Sequence, residues 1–300
     1  MMELMMEIWH LVMEFLHLVR NQGMVNAPSI RKIDGKFCLT YYAMGPHHAN
    51  AMCYALADSP FGPFSYSGTL ISLGNALYKE QTEPTDYVGN THDGMVNVAG
   101  VWYTIYHRQT GNRSCGRQIC ATALKRTGNG GFEHAEYTSL GFNEQQLPAF
   151  YCWPAYMACY LTDAKGKTKK NSKSPYIALK EFEGGELDIH SNKEMLQVVT
   201  NLTPESVVGF KYFDFGEETN ANATITLTVL AKCKGTVEIC VDTPNPDNRV
   251  AMVEIDGNNH WEEYSASMKH LTGCHAIYFI IHCDGKCLGD IAFFEMNKGE

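Results

Sequence analysis

Between Thr85 and Cys120 the chain gathers side chains that could do chemistry: His92 and Asp93, then His107, Arg108 and Arg117. Glu80, Glu83 and Asp86 lie just upstream. Carboxyl groups brought together could divide into a proton donor and a base, whereas acids scattered in a loop are ordinarily solvated. What matters is therefore the scaffold that holds them. Gly94 to Val98 and Val101 to Tyr106 alternate with period two on either side of Ala99-Gly100, which predicts a β-hairpin. His92 and Asp93 then precede the first strand, and His107, Arg108 and Arg117 follow the second. Strand ends on a rigid β scaffold are where sites are usually built.

The hairpin has an earlier copy. Residues Arg31 to Tyr41, RKIDGKFCLTY, recur as Val96 to Tyr106, VNVAGVWYTIY, and each copy leads through a longer loop into a further strand, AMCYALADS or RQICATALK. An all-β repeat of this length fits one propeller blade with a generous loop, or a sandwich with two similar hairpins.

The remaining chain sets the bounds. Its 300 residues accommodate two domains, and 45% hydrophobic with 19% charged residues is a globular composition. A net charge of −9 argues against a nucleic-acid backbone as partner, and no apolar run is long enough to span a membrane. In residues 1–22, Glu3, Glu7, His10, Glu14 and His17 draw one polar stripe down an apolar helical pattern. This predicts an amphipathic helix packed on the protein's own β surface, with a coiled coil or a membrane surface as alternatives. The segment lacks the form of a secretory signal, so the default location is cytoplasmic. Eleven cysteines are then expected as reduced thiols, most of them small buried hydrophobes, as in KFCLTY and VEICVD. Cys283 and Cys287 flank the turn DGK and could face each other across it. The lysine-rich run within 162–175 predicts a linker. After it, nine short alternating segments from ELDIHS to DIAFFEM predict a two-sheet sandwich over 176–300.

SIRKIDGKFCLTYYA, YALADSPFGPF, GNTHDGMVNVAGVWYTIYHRQ and GRQIC, in that order, resemble the later blades of the five-bladed propeller of glycoside hydrolase family 43. VVGFKYFDFG, GTVEICVDTP, HWEEYSASM and GCHAIYFIIHCDGKCLGDIAFFE resemble carbohydrate-binding module family 6. The fold these resemblances imply is all-β: a partial propeller over 23–161 joined to a jelly-roll sandwich, with the N-terminal helix outside both.

The first resemblance implies hydrolysis of arabinose- or xylose-containing glycans with inversion. That chemistry uses two carboxyl groups, one donating to the leaving oxygen and one activating water. The family's Asp positions have no match in this chain, and its acidic Glu falls on Asn26, an amide with no proton to donate near neutral pH. Catalysis is therefore expected to be impaired. The alternatives are a sugar-binding remnant and a structural or partner-binding scaffold. His92 resembles the His that organises the propeller centre and its bound ion or water, and Arg117 an Arg that reaches the sugar hydroxyls; without the resemblance they read as a hydrogen-bonded strand-end His and a solvated Arg. In the sandwich, Trp261 takes the position of an aromatic platform and Tyr212 is a candidate partner, with burial the rival reading for both. Asp290 stands where a binding Asn is common. Glu181 and Glu183 are calcium ligands by resemblance, or an ordinary surface run. The implied partner is a plant cell-wall type glycan or oligosaccharide.

Overall fold

The structure, a computed structural model, describes residues 24–44, 51–72, 93–113, 115–168, 173–218 and 222–299. The predicted helix over 1–22 lies outside them, as do His92, Glu80, Glu83 and Asp86. Among the described residues the architecture is strands and two short 3-10 turns, in two compact units.

The first unit holds two antiparallel meanders, the parts from which a propeller is assembled. Strands β1 (Met24–Ile33), β2 (Lys36–Met44), β3 (Ala51–Ala57) and β4 (Ser65–Ser72) form one sheet in chain order. Strands β5 (Asp93–Val98), β6 (Val101–Gln109) and β7 (Arg117–Leu124) form the other. The sequence repeat is real at the level of the turn. Asp34 and Gly35 have φ of 50 and 85°, and their counterparts Ala99 and Gly100 have 52 and 95°. Positive φ at both central residues is the turn whose twist matches the flanking strands. Tyr41 and Tyr106, equivalent in the repeat, are both buried. The chain after β7 returns to the first meander: the Ala135 amide donates to the Leu70 carbonyl at 2.8 Å, and Tyr54 Oη accepts from the Phe132 amide at 2.8 Å. Phe132 also meets Tyr54 edge-to-face at 5.7 Å.

The second unit is a two-sheet sandwich. One sheet runs β10 (Tyr160–Thr162), β13 (Val207–Asp214), β18 (Cys274–Cys283), β15 (Gly235–Val241), β16 (Arg249–Ile255), with β8 (Leu147–Pro148) also on β13. The other runs β11 (Tyr176–Asp188), β12 (Lys193–Thr200), β19 (Gly289–Asn297), β14 (Thr224–Ala231), β17 (Trp261–Ser267), with β9 (Cys152–Pro154) also on β19. Alternation puts one side of each strand into a shared core. Val208, Phe210, Val237, Ile239 and Phe279 from one sheet meet Val199, Leu227, Val229, Ile291 and Phe294 from the other. Phe294 packs tilted on Phe210 at 4.5 Å and meets Phe279 edge-to-face at 5.5 Å.

The sandwich begins earlier than the sequence suggests. The boundary expected at 161 falls between Tyr137 and Thr138, because β8, β9 and β10 are sandwich strands. Three residues or fewer carry no period, so their pattern is invisible until the partner strands are known. The described parts of 162–175, residues 162–168 and 173–175, accordingly belong to the sandwich unit. Thr162 ends β10, the Asp163 carboxylate accepts from the Lys165 and Lys167 amides, and the carbonyls of Lys173 and Ser174 accept from Thr203 and Asn201. At Lys165, Lys167 and Lys173 the backbone is fastened to its own domain.

Candidate functional site

In the first unit, Asn26 lies in β1 opposite Tyr42, beside a register shift between Asn26 and Ser29. Arg117 opens β7 and is half-buried. One strand away, Arg108 is buried, with 2% exposure, and its Nε donates to Gln118 Oε1 at 2.7 Å. A buried guanidinium needs acceptors, and the alternation of β7 supplies Gln118 to meet that need. The same two strands are joined by Tyr106 Oη and Thr122 Oγ1 at 3.2 Å. The Tyr41 and Tyr42 hydroxyls are buried without a hydrogen-bond partner among the described residues, and burial raises both pKa values, Tyr42 to about 12.

In the sandwich, register decides which side chains meet. Leu230 of β14 pairs with Trp261 on one side and with Asp290 on the other, so the three form one row across the sheet. Their neighbours Val229 and Ile291 point into the core, so this row points away from it. Phe182 of β11 and Phe293 of β19 join the same outward face. Phe182 meets Trp261 edge-to-face at 5.2 Å and Phe293 at 5.7 Å. The Trp261 indole donates to the Glu181 carbonyl at 3.3 Å, which fixes its ring while leaving it half-buried.

Asp290 itself is buried, with 2% exposure. Its carboxylate accepts from Thr200 Oγ1 and faces Lys180 Nζ at 3.4 Å. Lys180 was not singled out by motif, but its spacing of two from Phe182 is the signal that places both on the Trp261 face. The arrangement is an aromatic cluster beside a partly exposed cation and a buried anion, which suits a neutral polyhydroxylated ligand with one apolar face.

Tyr212 is not part of it. It lies on β13 in the opposite sheet, packed against a separate cluster of Cys240, Ala276, Tyr278 and Ile280. Its ring packs on that cluster, in the sheet that does not carry Trp261. Glu181 and Glu183 both lie on β11. Lys193 Nζ pairs with Glu181 Oε2 at 2.5 Å, Glu183 is exposed, and among the described residues no three His, Cys, Asp or Glu side chains are placed to hold a metal. A bulge between Glu181 and Glu186 turns the strand at this point.

No family profile matches the chain. It is 31% identical over 270 residues to a xylosidase/arabinosidase of Thermoclostridium stercorarium, covering 86% of this chain and 53% of that protein. The chain thus spans about half the length of that curated relative. Among solved structures it is similar to a glycoside hydrolase family 43 arabinoxylan arabinofuranohydrolase from Bacillus subtilis in complex with cellotetraose, at 19% identity and a TM-score of 0.49, covering 91% of this chain and 54% of that one. It is also similar to a Clostridium stercorarium module in complex with cellobiose, at 13% identity and a TM-score of 0.37, covering 52% of this chain and all of the module.

Proposed function

We propose that this chain is a carbohydrate-active protein of the xylosidase and arabinofuranosidase kind, combining later blades of a five-bladed propeller with a sugar-binding sandwich. The observation that carries the reading is the 31% identity to a xylosidase/arabinosidase, which extends over 86% of the chain and so takes in both units. The outward row of Trp261, Leu230 and Asp290 with Phe182 and Phe293 supports it independently. The ligand is a xylan- or arabinoxylan-type oligosaccharide lying on the Trp261 face, with Lys180 available to a hydroxyl at its edge. Asp290, held by Thr200 and Lys180, fixes that lysine and contacts no ligand itself.

Hydrolysis by this chain is impaired, because the family's Asp positions have no match in it and Asn26 stands at the position matching the general acid. A lost acid or base costs orders of magnitude in rate. The chain should leave aryl arabinofuranosides and xylosides intact, and Asn26→Glu should not restore turnover. Turnover by the pure chain that disappears on mutating His92 or Arg117 would overturn this half of the proposal. Calorimetric titration tests the other half. Dissociation constants for xylo- or arabinoxylo-oligosaccharides should fall between roughly micromolar and millimolar. Trp261→Ala should abolish the signal while the thermal transition persists. The absence of any heat with xylan, arabinan or arabinoxylan oligomers would leave the sandwich as a scaffold.

A further inference from the structure

Three cysteines from two turns meet at one end of the sandwich. Cys233 lies between β14 and β15, Cys283 ends β18, and Cys287 lies in the loop to β19. Backbone bonds clamp the two turns together on both sides of Cys233: the Lys232 amide donates to the Leu288 carbonyl at 2.7 Å, and the Asp284 amide to the Lys234 carbonyl at 3.2 Å. Between these clamps the Cys233 thiol donates to the Cys287 carbonyl at 3.3 Å and the Cys283 thiol to the Gly285 carbonyl at 3.5 Å, so both thiols converge on Gly285. The Cys287 thiol turns elsewhere, to the Gly289 carbonyl at 3.8 Å.

Glycine permits this approach. A Cβ on Gly285 would sit 2.8 Å from Cys233 Sγ, and one on Gly257 would sit 2.7 Å from the Cys233 backbone. Any side chain at either place would push Cys233 away. All three thiols are partly exposed, and Cys283 lines an open cavity of about 550 Å³ together with Lys234, Asp256 and His282. A small reagent therefore has a route to the pair.

We propose that Cys233 and Cys283 are a dithiol pair that closes to a disulfide, with a small-molecule disulfide as oxidant. One protein thiolate attacks a sulfur of the reagent, breaking its S–S bond, forming a mixed disulfide and releasing one small thiolate. The second protein thiolate then displaces the remaining small thiolate and forms the protein S–S bond. Two protein thiols lose their protons and two electrons, and the reagent leaves as two thiols. Burial and the neighbouring Cys233 push the Cys283 thiol up to about 11, so at neutral pH little thiolate is present and exchange is slow. Exchange should accelerate as pH rises. The bond would fasten the β14–β15 turn to the end of β18 and close a loop of roughly 50 residues, a length at which a disulfide without strain raises the melting temperature by roughly 5–10 °C.

The test uses the full chain incubated with oxidised glutathione, followed by intact mass, peptide mapping and thermal unfolding. The expected product has lost two hydrogen atoms, carries a Cys233–Cys283 cross-linked peptide, and melts higher than the reduced chain. Cys233→Ser and Cys283→Ser should each abolish the cross-link and the shift, and Cys287→Ser should keep both. A cross-link between Cys283 and Cys287, glutathione adducts that never resolve, or no oxidation of the pair would each overturn the proposal. So would an oxidised chain that melts no higher than Cys233→Ser under the same treatment.

Discussion

The two sheets of the sandwich carry aromatic side chains on both of their outward faces, and the two faces differ. On the sheet with β17, Trp261 is half-buried, with Phe182 at its edge and the Lys180–Asp290 pair nearby. On the sheet with β18, Tyr278 is 3% exposed and meets Tyr160 edge-to-face at 5.5 Å, above Gly209, which pairs with both tyrosines across the sheet. The first face keeps a half-buried indole at its surface, and the second buries Tyr278 beneath Tyr160. Residue type is shared. Register and the size of the neighbour decide the use.

The sharpest way to break this contrast is truncation on each face. Tyr278→Ala should cost about 3–5 kcal/mol, as expected for a fully buried aromatic that leaves a cavity. Trp261→Ala should cost about 1–2 kcal/mol, because the ring is only partly removed from water. Urea denaturation of both variants measures the difference. Equal losses would mean that Trp261 is a core residue and that its face is no binding surface. A smaller effect sharpens the same contrast. A Cβ on Gly209 would lie 2.6 Å from Tyr278 Cδ1 and Cε1 and 2.9 Å from Tyr160 Cβ. Gly209→Ala should therefore destabilise by about 1–3 kcal/mol through overpacking, whereas the Trp261 face should bind sugar as before in the same calorimetric titration.

Much of this was legible in the sequence. The two hairpins follow from alternation around Asp34-Gly35 and Ala99-Gly100, and the strands β12 to β19 from alternation between turn residues. The failures have physical causes. The pieces β8, β9 and β10 are too short to show a period, and they pair with strands distant in sequence, so the start of the sandwich is hidden in the sequence. A lysine-rich run reads as a linker, but side-chain type says nothing about a backbone that is fastened at 163–167 by Asp163 and at 173–174 by Asn201 and Thr203. At the candidate site, motif position points to Trp261 and Asp290, and register places them in one row. It did not reveal that Asp290 is buried under Lys180 and Thr200, because burial of a carboxylate depends on partners from other strands. Tyr212 misled for the same reason: an aromatic in an alternating strand serves either face until the sheet order is known.

A pH series gives the smallest effect and returns to the tyrosine-bearing sheet, where His282 of β18 bridges two carboxylates. Its Nδ1 lies 2.8 Å from Glu205 Oε1 and its Nε2 lies 3.0 Å from Glu238 Oε2. Arg249 adds a cation 3.6 Å from the other Glu238 oxygen. Burial lowers the imidazole pKa, but the hydrogen bonds to Glu238 and Glu205 and their charges outweigh it, and the net shift is upward. A group whose folded pKa exceeds its unfolded value stabilises fully below the unfolded value, about 6.5 for histidine, and loses that stabilisation as pH rises through the raised folded value. Melting temperature should therefore fall gently as pH increases above about 6.5 in the wild type. His282→Gln, which donates to one carboxylate without titrating, should flatten the curve in that window. The Trp261 face has no such bridged histidine, so Trp261→Ala should shift the curve without changing its slope. A wild-type profile no steeper than that of His282→Gln would show that the imidazole is not charged between its two carboxylates.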